Sequence, residues 1–305
     1  MKKAILPFVL ACLGLVCACG QQNDYSIPSL TQPEFDPTSS KTAASLSKEP
    51  SSSAEAPYNR PTVPILPSEA FERKNYEDSK TGKMMPYRLY LPDGYDGESP
   101  YPVLFFLHGA GERGVDNMRQ LTNSFPKLFE NLDSPIYGSI IVCPQCPELE
   151  QWVDTPYSEG NYRLHDVPAS EVMRTLQGLI RLIQREYSVD EDRLYVMGVS
   201  IGGFGTWDIC QRNPDQFAAA VPICGGGSPE DAAEIAHLPI TTVHGTADQS
   251  VPVSATREMI KALRDAGGEP IYYELEGYPH NVWDWTFENQ EIINWLFQQR
   301  RVSEE

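Results

Sequence analysis

The chain has 305 residues, enough for one large domain or two small ones with a substantial core. A hydrophobic share of 41% and a charged share of 22% are ordinary for a globular protein. With 42 acidic against 24 basic side chains and a formal net charge of -18, the chain repels phosphate backbones and anionic headgroups, which excludes a general nucleic-acid binder.

The opening stretch, MKKAILPFVLACLGLVCACG, sets two lysines before an apolar run from Ala4 to Ala18. That run is shorter than the roughly 20 residues that span a bilayer, and its layout is that of a secretory signal. Val16-Cys17-Ala18-Cys19 resembles a bacterial lipobox, in which a small residue precedes the cysteine that is lipidated and becomes the new N-terminus. This implies a lipoprotein-type signal over 1–19, lipidation of Cys19, and export to the cell envelope or surface with the membrane touched only through acyl chains. Val9-Leu10-Ala11-Cys12 has the same form but leaves a very short apolar core. A plain signal cut nearby, or an uncleaved anchor, is the alternative. From Gly20 to about Pro67, Ser, Thr, Pro, Gln and Ala dominate. Such a segment buries too little surface to offset its ordering entropy, so 20–67 is expected to be a disordered tether and 68–305 the folded body.

In the body, strand and helix signals alternate. PYRLYLP (86–92) reads as an early strand, and YPVLFFLHG (101–109) as an apolar run of the kind buried on both faces of a sheet. A helix is predicted over 117–131, then a strand at SIIVCP. Apolar residues at helical spacing mark 170–187 as a helix. The order continues with the strand RLYVMG, a helix over 203–212, the strands FAAAVPICGG and LPITTVHG, a helix over 254–266, the strand PIYYELEG and a helix over 290–301. This alternation predicts an α/β fold, a mostly parallel sheet with helices on both faces, whose functional loops lie at the carboxyl ends of the strands. Cys143 and Cys146 have the spacing of a zinc or redox pair, but no second ligand pair follows them. With Cys210 and Cys224 they are expected to be buried thiols or to form one disulfide, and no metal is expected.

The chemistry concentrates in four loops. In YVMGVSIGGFGTW, Ser200 stands between Gly198 and Gly202 where a strand turns into a helix, a geometry that projects a hydroxyl at the apex of a strained turn. A serine nucleophile needs a base and a group that orients the base. Of the five histidines, His108 and His244 end strands before glycine and suit loop packing, His165 lies upstream of the serine in a loop, and His237 sits in a polar connector. His280 follows the last predicted strand, where a base is required if the order is Ser, acid, His. Asp248 in HGTADQSVP is the acid at a strand end between them. The oxyanion hole is expected from the amides of Ile201, next to the nucleophile, and Ala110 in HGAGERG.

These motifs, FFLHGAGERG, GVSIGGFGTW, HGTADQSVPV and HNVWDW, in this order, resemble the α/β-hydrolase family over roughly 71–301. They are similar to bacterial esterases of the carboxylesterase, feruloyl-esterase and polyhydroxybutyrate-depolymerase type, whose relatives are often labelled predicted peptidases or phospholipases. The resemblance implies a serine carboxylic-ester hydrolase without metal or organic cofactor. No long insertion provides a lipase lid, which argues against long-chain triglycerides. Trp152, Trp283, Glu112 and Arg113 fall in loops at the catalytic edge and are expected to border the substrate. Together with the export and the tether expected of the N-terminus, they point to a small ester or an ester-decorated polysaccharide outside the cell, such as a feruloyl or acetyl group on plant xylan. A serine peptidase of the same fold and a non-catalytic binding lipoprotein are the alternatives.

Overall fold

The computed structural model describes residues 67–301 together with Thr62 and Pro64. The expected signal with Cys19, and the expected tether before Thr62, lie outside the described residues. Among the described residues no helix is long and apolar enough to cross a membrane.

A single helical turn, α1 (Pro67–Ala70), leads into an eight-stranded sheet. Its strands are β1 (Glu72–Glu77), β2 (Met84–Tyr90), β3 (Tyr101–Leu107), β4 (Ile140–Pro144), β5 (Val189–Val199), β6 (Ala219–Ile223), β7 (Thr241–Gly245) and β8 (Ile271–Leu275). They lie side by side in the order β1-β2-β4-β3-β5-β6-β7-β8. β2 runs antiparallel to both its neighbours, and every pairing from β4 to β8 is parallel. The edge strand β1, ERKNYE, carries no apolar run and was not foreseen.

All seven residues of β3 are buried. A strand alternates its side chains between two faces, so it can be apolar throughout only where both faces are covered. Val103, Phe105 and Leu107 enter one core layer, Leu104 and Phe106 the other. The first layer is completed by α2 (Glu171–Glu186), α3 (Ile201–Arg212) and α4 (Val253–Asp265), through Leu176, Phe204 and Met259 among others. The Ser170 hydroxyl caps α2 by accepting from the Met173 amide at 2.9 Å. The second layer is closed by α5 (Trp283–Glu288) and α6 (Gln290–Gln298), through Phe287, Ile292 and Leu296.

The helix expected over 117–131 is not formed. Two 3₁₀ turns, Arg119–Leu121 and Phe125–Phe129, take its place. Asn117 and Asn123 both stand at φ 52°, left-handed positions that interrupt a right-handed helix, and Pro126 withholds a backbone donor. Phe125, Leu128 and Phe129 still reach the second layer, so the segment is buried without a helix. Cys143, Cys146, Cys210 and Cys224 are free, buried thiols, and no disulfide joins them.

Candidate active site

Every parallel strand points its carboxyl end to one edge, and the four singled-out loops meet there. β5 ends at Val199, Ser200 adopts φ 56° and ψ -120°, and α3 starts at Ile201. A serine with positive φ is strained, and the surroundings hold it: its amide donates to the Ile223 carbonyl of β6 at 3.0 Å. The glycines around it are required by contact. A Cβ on Gly198 would stand 2.2 Å from the Gly202 carbonyl oxygen, and one on Gly202 would stand 2.0 Å from that of Leu107 in β3. Helix and strands therefore approach closer than any side chain permits, which drives the Ser200 side chain outward.

Ser200 Oγ lies 2.8 Å from His280 Nε2, and His280 Nδ1 lies 2.6 Å from Asp248 Oδ2. The other carboxylate oxygen accepts from the amides of Ser250 and Val251 at 2.8 and 2.9 Å. Burial pushes the Asp248 carboxyl up, but hydrogen bonds from His244, His280 and the Val251 amide outweigh it and hold the group well below the usual carboxylate range. An ionised acid needs a donor facing it, so His280 carries its proton on Nδ1 and presents the Nε2 lone pair to the serine hydroxyl.

His108 organises the loop opposite. Its Nε2 accepts from the Cys146 amide at 2.9 Å, so Nδ1 is the protonated nitrogen and donates to the Gly109 carbonyl at 2.7 Å. Burial holds this imidazole down at about 4, hence neutral. In a trans peptide the carbonyl and the following N–H point opposite ways, so gripping the Gly109 oxygen turns the Ala110 N–H away from His108. Among the described residues neither the Ala110 nor the Ile201 amide donates to a protein acceptor.

A cavity of about 250 Å³ opens beside Ser200, walled by Phe106, Phe125, Val199, Trp283 and Phe287. Its polar lining includes Glu112, Gln120, Asn123 and Ser124. Asn123 donates to Glu112 Oε1. Burial raises the Glu112 carboxyl above its ordinary value. Trp283 is half-buried and packs edge-on to His280, ring centroids 5.4 Å apart.

Two of the four expected substrate contacts are corrected. Trp152 is fully buried in the first core layer and does not line the cavity; its indole donates to the His108 carbonyl at 3.1 Å. Gly205 supplies the room, since a Cβ there would stand 2.7 Å from the Trp152 Cβ. Arg113 also turns away, donating from Nε to the Ala110 carbonyl at 2.9 Å and from Nη1 to that of Glu150 at 3.3 Å. It ties down the loop that carries the Ala110 amide. Sequence reasoning missed Asn123 and Phe125, which come from the segment expected to be a helix, and with them Phe106 of β3 and Phe287 of α5, and gave His244 only a packing role. The His-Gly step before the acid was the available signal for His244.

Among the described residues Cys224, Asp248 and His280 are the one group with metal-type donor atoms, all within 4.8 Å of one another. Asp248 and His280 are hydrogen-bonded to each other, and burial raises the Cys224 thiol far above its ordinary value. Asp248 and His280 are therefore already matched donor to acceptor.

Residues 158–292 match the family model described as the Dienelactone hydrolase family. The crystal structure of a thermostable esterase is 35% identical, superposes with a TM-score of 0.70, and aligns over 77% of this chain and 64% of that one. The chain is an α/β-hydrolase in fold. The chain is also 24% identical over 204 residues to a probable feruloyl esterase C of Aspergillus niger, covering 66% of this chain and 68% of that protein. It is 28% identical over 179 residues to a bifunctional acetylxylan esterase/xylanase of Neocallimastix patriciarum, covering 58% of this chain but 23% of the relative.

Proposed function

We propose that the protein is a serine esterase that cleaves carboxylic esters through an acyl-enzyme. The unbroken line from Ser200 Oγ through His280 to Asp248, at 2.8 and 2.6 Å, carries this reading. Ser200 Oγ attacks the ester carbonyl carbon while His280 Nε2 takes the hydroxyl proton. The negative charge on the former carbonyl oxygen falls to the amides of Ala110 and Ile201. Collapse breaks the bond to the alcohol oxygen, which receives the proton from His280. Water, deprotonated by the same imidazole, then releases the acid and restores the serine. Asp248 keeps His280 in the productive tautomer throughout.

The proposed substrate is a feruloyl or acetyl ester on extracellular plant polysaccharide. The cavity of about 250 Å³ suits a short acyl group or one aromatic ring. Trp283 offers an aromatic face and Glu112 with Asn123 a polar end. Two relatives are named for feruloyl and acetylxylan esters, in keeping with this reading. The signal-like 1–19 with Cys19 supports export as a lipid-anchored protein, which would bring the site to a polymer outside the cell.

Initial rates on p-nitrophenyl acetate, p-nitrophenyl butyrate, methyl ferulate, acetylated xylan and one peptide anilide test it, with Ser200→Ala in parallel. Ester turnover lost in the variant is expected. Turnover that persists in folded Ser200→Ala overturns the nucleophile, and anilide cleavage at ester-like rates replaces the esterase by a peptidase.

A further inference from the structure

Asp248 Oδ2 accepts hydrogen bonds from two imidazoles, His280 Nδ1 at 2.6 Å and His244 Nε2 at 3.0 Å. His244 lies in β7, four residues before the acid, with its side chain fully shielded from solvent. A buried histidine must match each ring nitrogen to its neighbour. Here Nε2 faces acceptors only, Asp248 Oδ2 and the Val251 carbonyl at 3.1 Å, so it carries a proton whatever the charge of the ring. Nδ1 rests 2.7 Å from the Thr256 hydroxyl of α4, which also reaches the Gly225 carbonyl at 3.1 Å. Thr256 thus fixes the rotation of the ring, and the ring aims a donor at the acid.

The two carboxylate oxygens are treated differently. Oδ1 is saturated by backbone amides of its own loop, which place the carboxyl group. Oδ2 is divided between the imidazole expected to move protons and one that has no access to substrate, since His244 does not line the cavity.

We propose that His244 is a positioning residue of the proton relay: its Nε2–H holds Asp248 Oδ2 in line with His280 Nδ1 and draws part of the carboxylate charge away from His280. This rests on the serine-esterase reading of the site. Removing the donor has two effects. The carboxylate loses one of the bonds that orient it, which slows the chemical step. The charge on Oδ2 then serves His280 alone and favours its imidazolium, so the acid limb of the kcat/KM profile moves to higher pH. Other titratable groups around the two rings are Cys224, beside Asp248 and His280, Glu274 on β8, paired with Arg257, and Glu112 across the cavity. None of these donates a hydrogen bond to Oδ2.

The test compares His244→Phe, which keeps a ring without a donor, with His244→Gln, whose amide reaches the place of Nε2. Rates on p-nitrophenyl acetate across the pH range are measured for each variant whose folding is verified by thermal melting. For His244→Phe, kcat is expected to fall about tenfold or more with KM unchanged, and the acid limb to shift upward by about half a pH unit. For His244→Gln both are expected to stay near wild type. Wild-type kcat and limb in His244→Phe would overturn the proposal, as would equal losses in the two variants with the limb unmoved. Should His244→Phe fail to fold, His244→Asn replaces it, because its shorter amide cannot reach Oδ2; identical behaviour of the Asn and Gln variants overturns the proposal. Ser200→Ala separates the two levels: activity surviving there removes the esterase reading, whereas activity lost there and untouched in the His244 variants removes only the role of His244.

Discussion

Gly202 and Leu107 touch through backbone alone, leaving no room for a side chain between α3 and β3. A Cβ on Gly202 would stand 2.0 Å from the Leu107 carbonyl oxygen and 2.7 Å from that of His108. The contact ties the turn that presents Ser200 to the strand that leads into the Ala110 loop, so the proposed nucleophile and the proposed oxyanion amides are linked by one packing constraint. Gly202→Ala is expected to destabilise the fold by about 1–3 kcal/mol, the range for overpacking, and to lose most activity even where it folds. Chemical unfolding and ester rates on the same sample check this; wild-type values for both would show that the backbone yields freely there.

The Arg113 guanidinium spans the Ala110 and Glu150 carbonyls, outside the cavity. Arg113→Met keeps the stem and removes both bonds, which frees the Ala110–Gly111 peptide, next in the chain to the one that carries the Ala110 N–H. A fall in kcat of about tenfold is expected with little change in KM, less than the 10²–10³ seen when an oxyanion donor itself is deleted. Arg113→Lys should restore little, since one ammonium cannot reproduce the planar fork. Steady-state kinetics decide, and a selective rise in KM would return Arg113 to the substrate.

What the sequence showed and what it hid divide along the range of the interaction. Ser200, Asp248 and His280 were legible because strand-end chemistry is local: a glycine-flanked serine, an acid and a histidine each follow a strand signal, and parallel topology carries strand ends to one edge. The apolar run of β3 was legible for the same reason. Trp152 and Arg113 were read by their nearness to the loops, but side-chain direction depends on partners far away in the chain, Gly205 for the indole and Glu150 for the guanidinium. In the segment 117–131 Pro126 was a local signal against the expected helix, but the left-handed turns at Asn117 and Asn123 go with burial of Phe125 and Phe129 in a core layer built by distant residues.

Trp152 fills the space over Gly205 and donates to the His108 carbonyl at the root of the oxyanion loop. Truncation to alanine is expected to cost about 3–5 kcal/mol, as for large aromatic residues in cores. Trp152→Phe keeps much of the packing and loses the indole donor, so a smaller drop in melting temperature is expected, with KM for small esters unchanged. A variant with wild-type melting and a raised KM for aryl esters would place the indole against substrate after all.

Glu112 has no cationic partner among the described residues, and burial raises its carboxyl above the ordinary 4.5, against the opposing pull of the Glu112 and Gly109 backbone. For an acid whose folded value is raised, the unfolded chain ionises first. As pH climbs from about 4.5 toward the folded value, the unfolded state binds fewer protons than the native state and stability declines across that window. Glu112→Gln keeps the shape and cannot ionise, so it removes this slope. Unfolding midpoints in urea are expected to coincide for wild type and variant in the protonated range below the window and to separate in favour of the variant as pH rises through it. Midpoints that run parallel at every pH would mean that Glu112 ionises in the fold as freely as in water. Activity gives an independent reading: if the carboxyl contacts substrate, the same substitution raises KM for methyl ferulate while the stabilised fold leaves rates on p-nitrophenyl acetate near wild type.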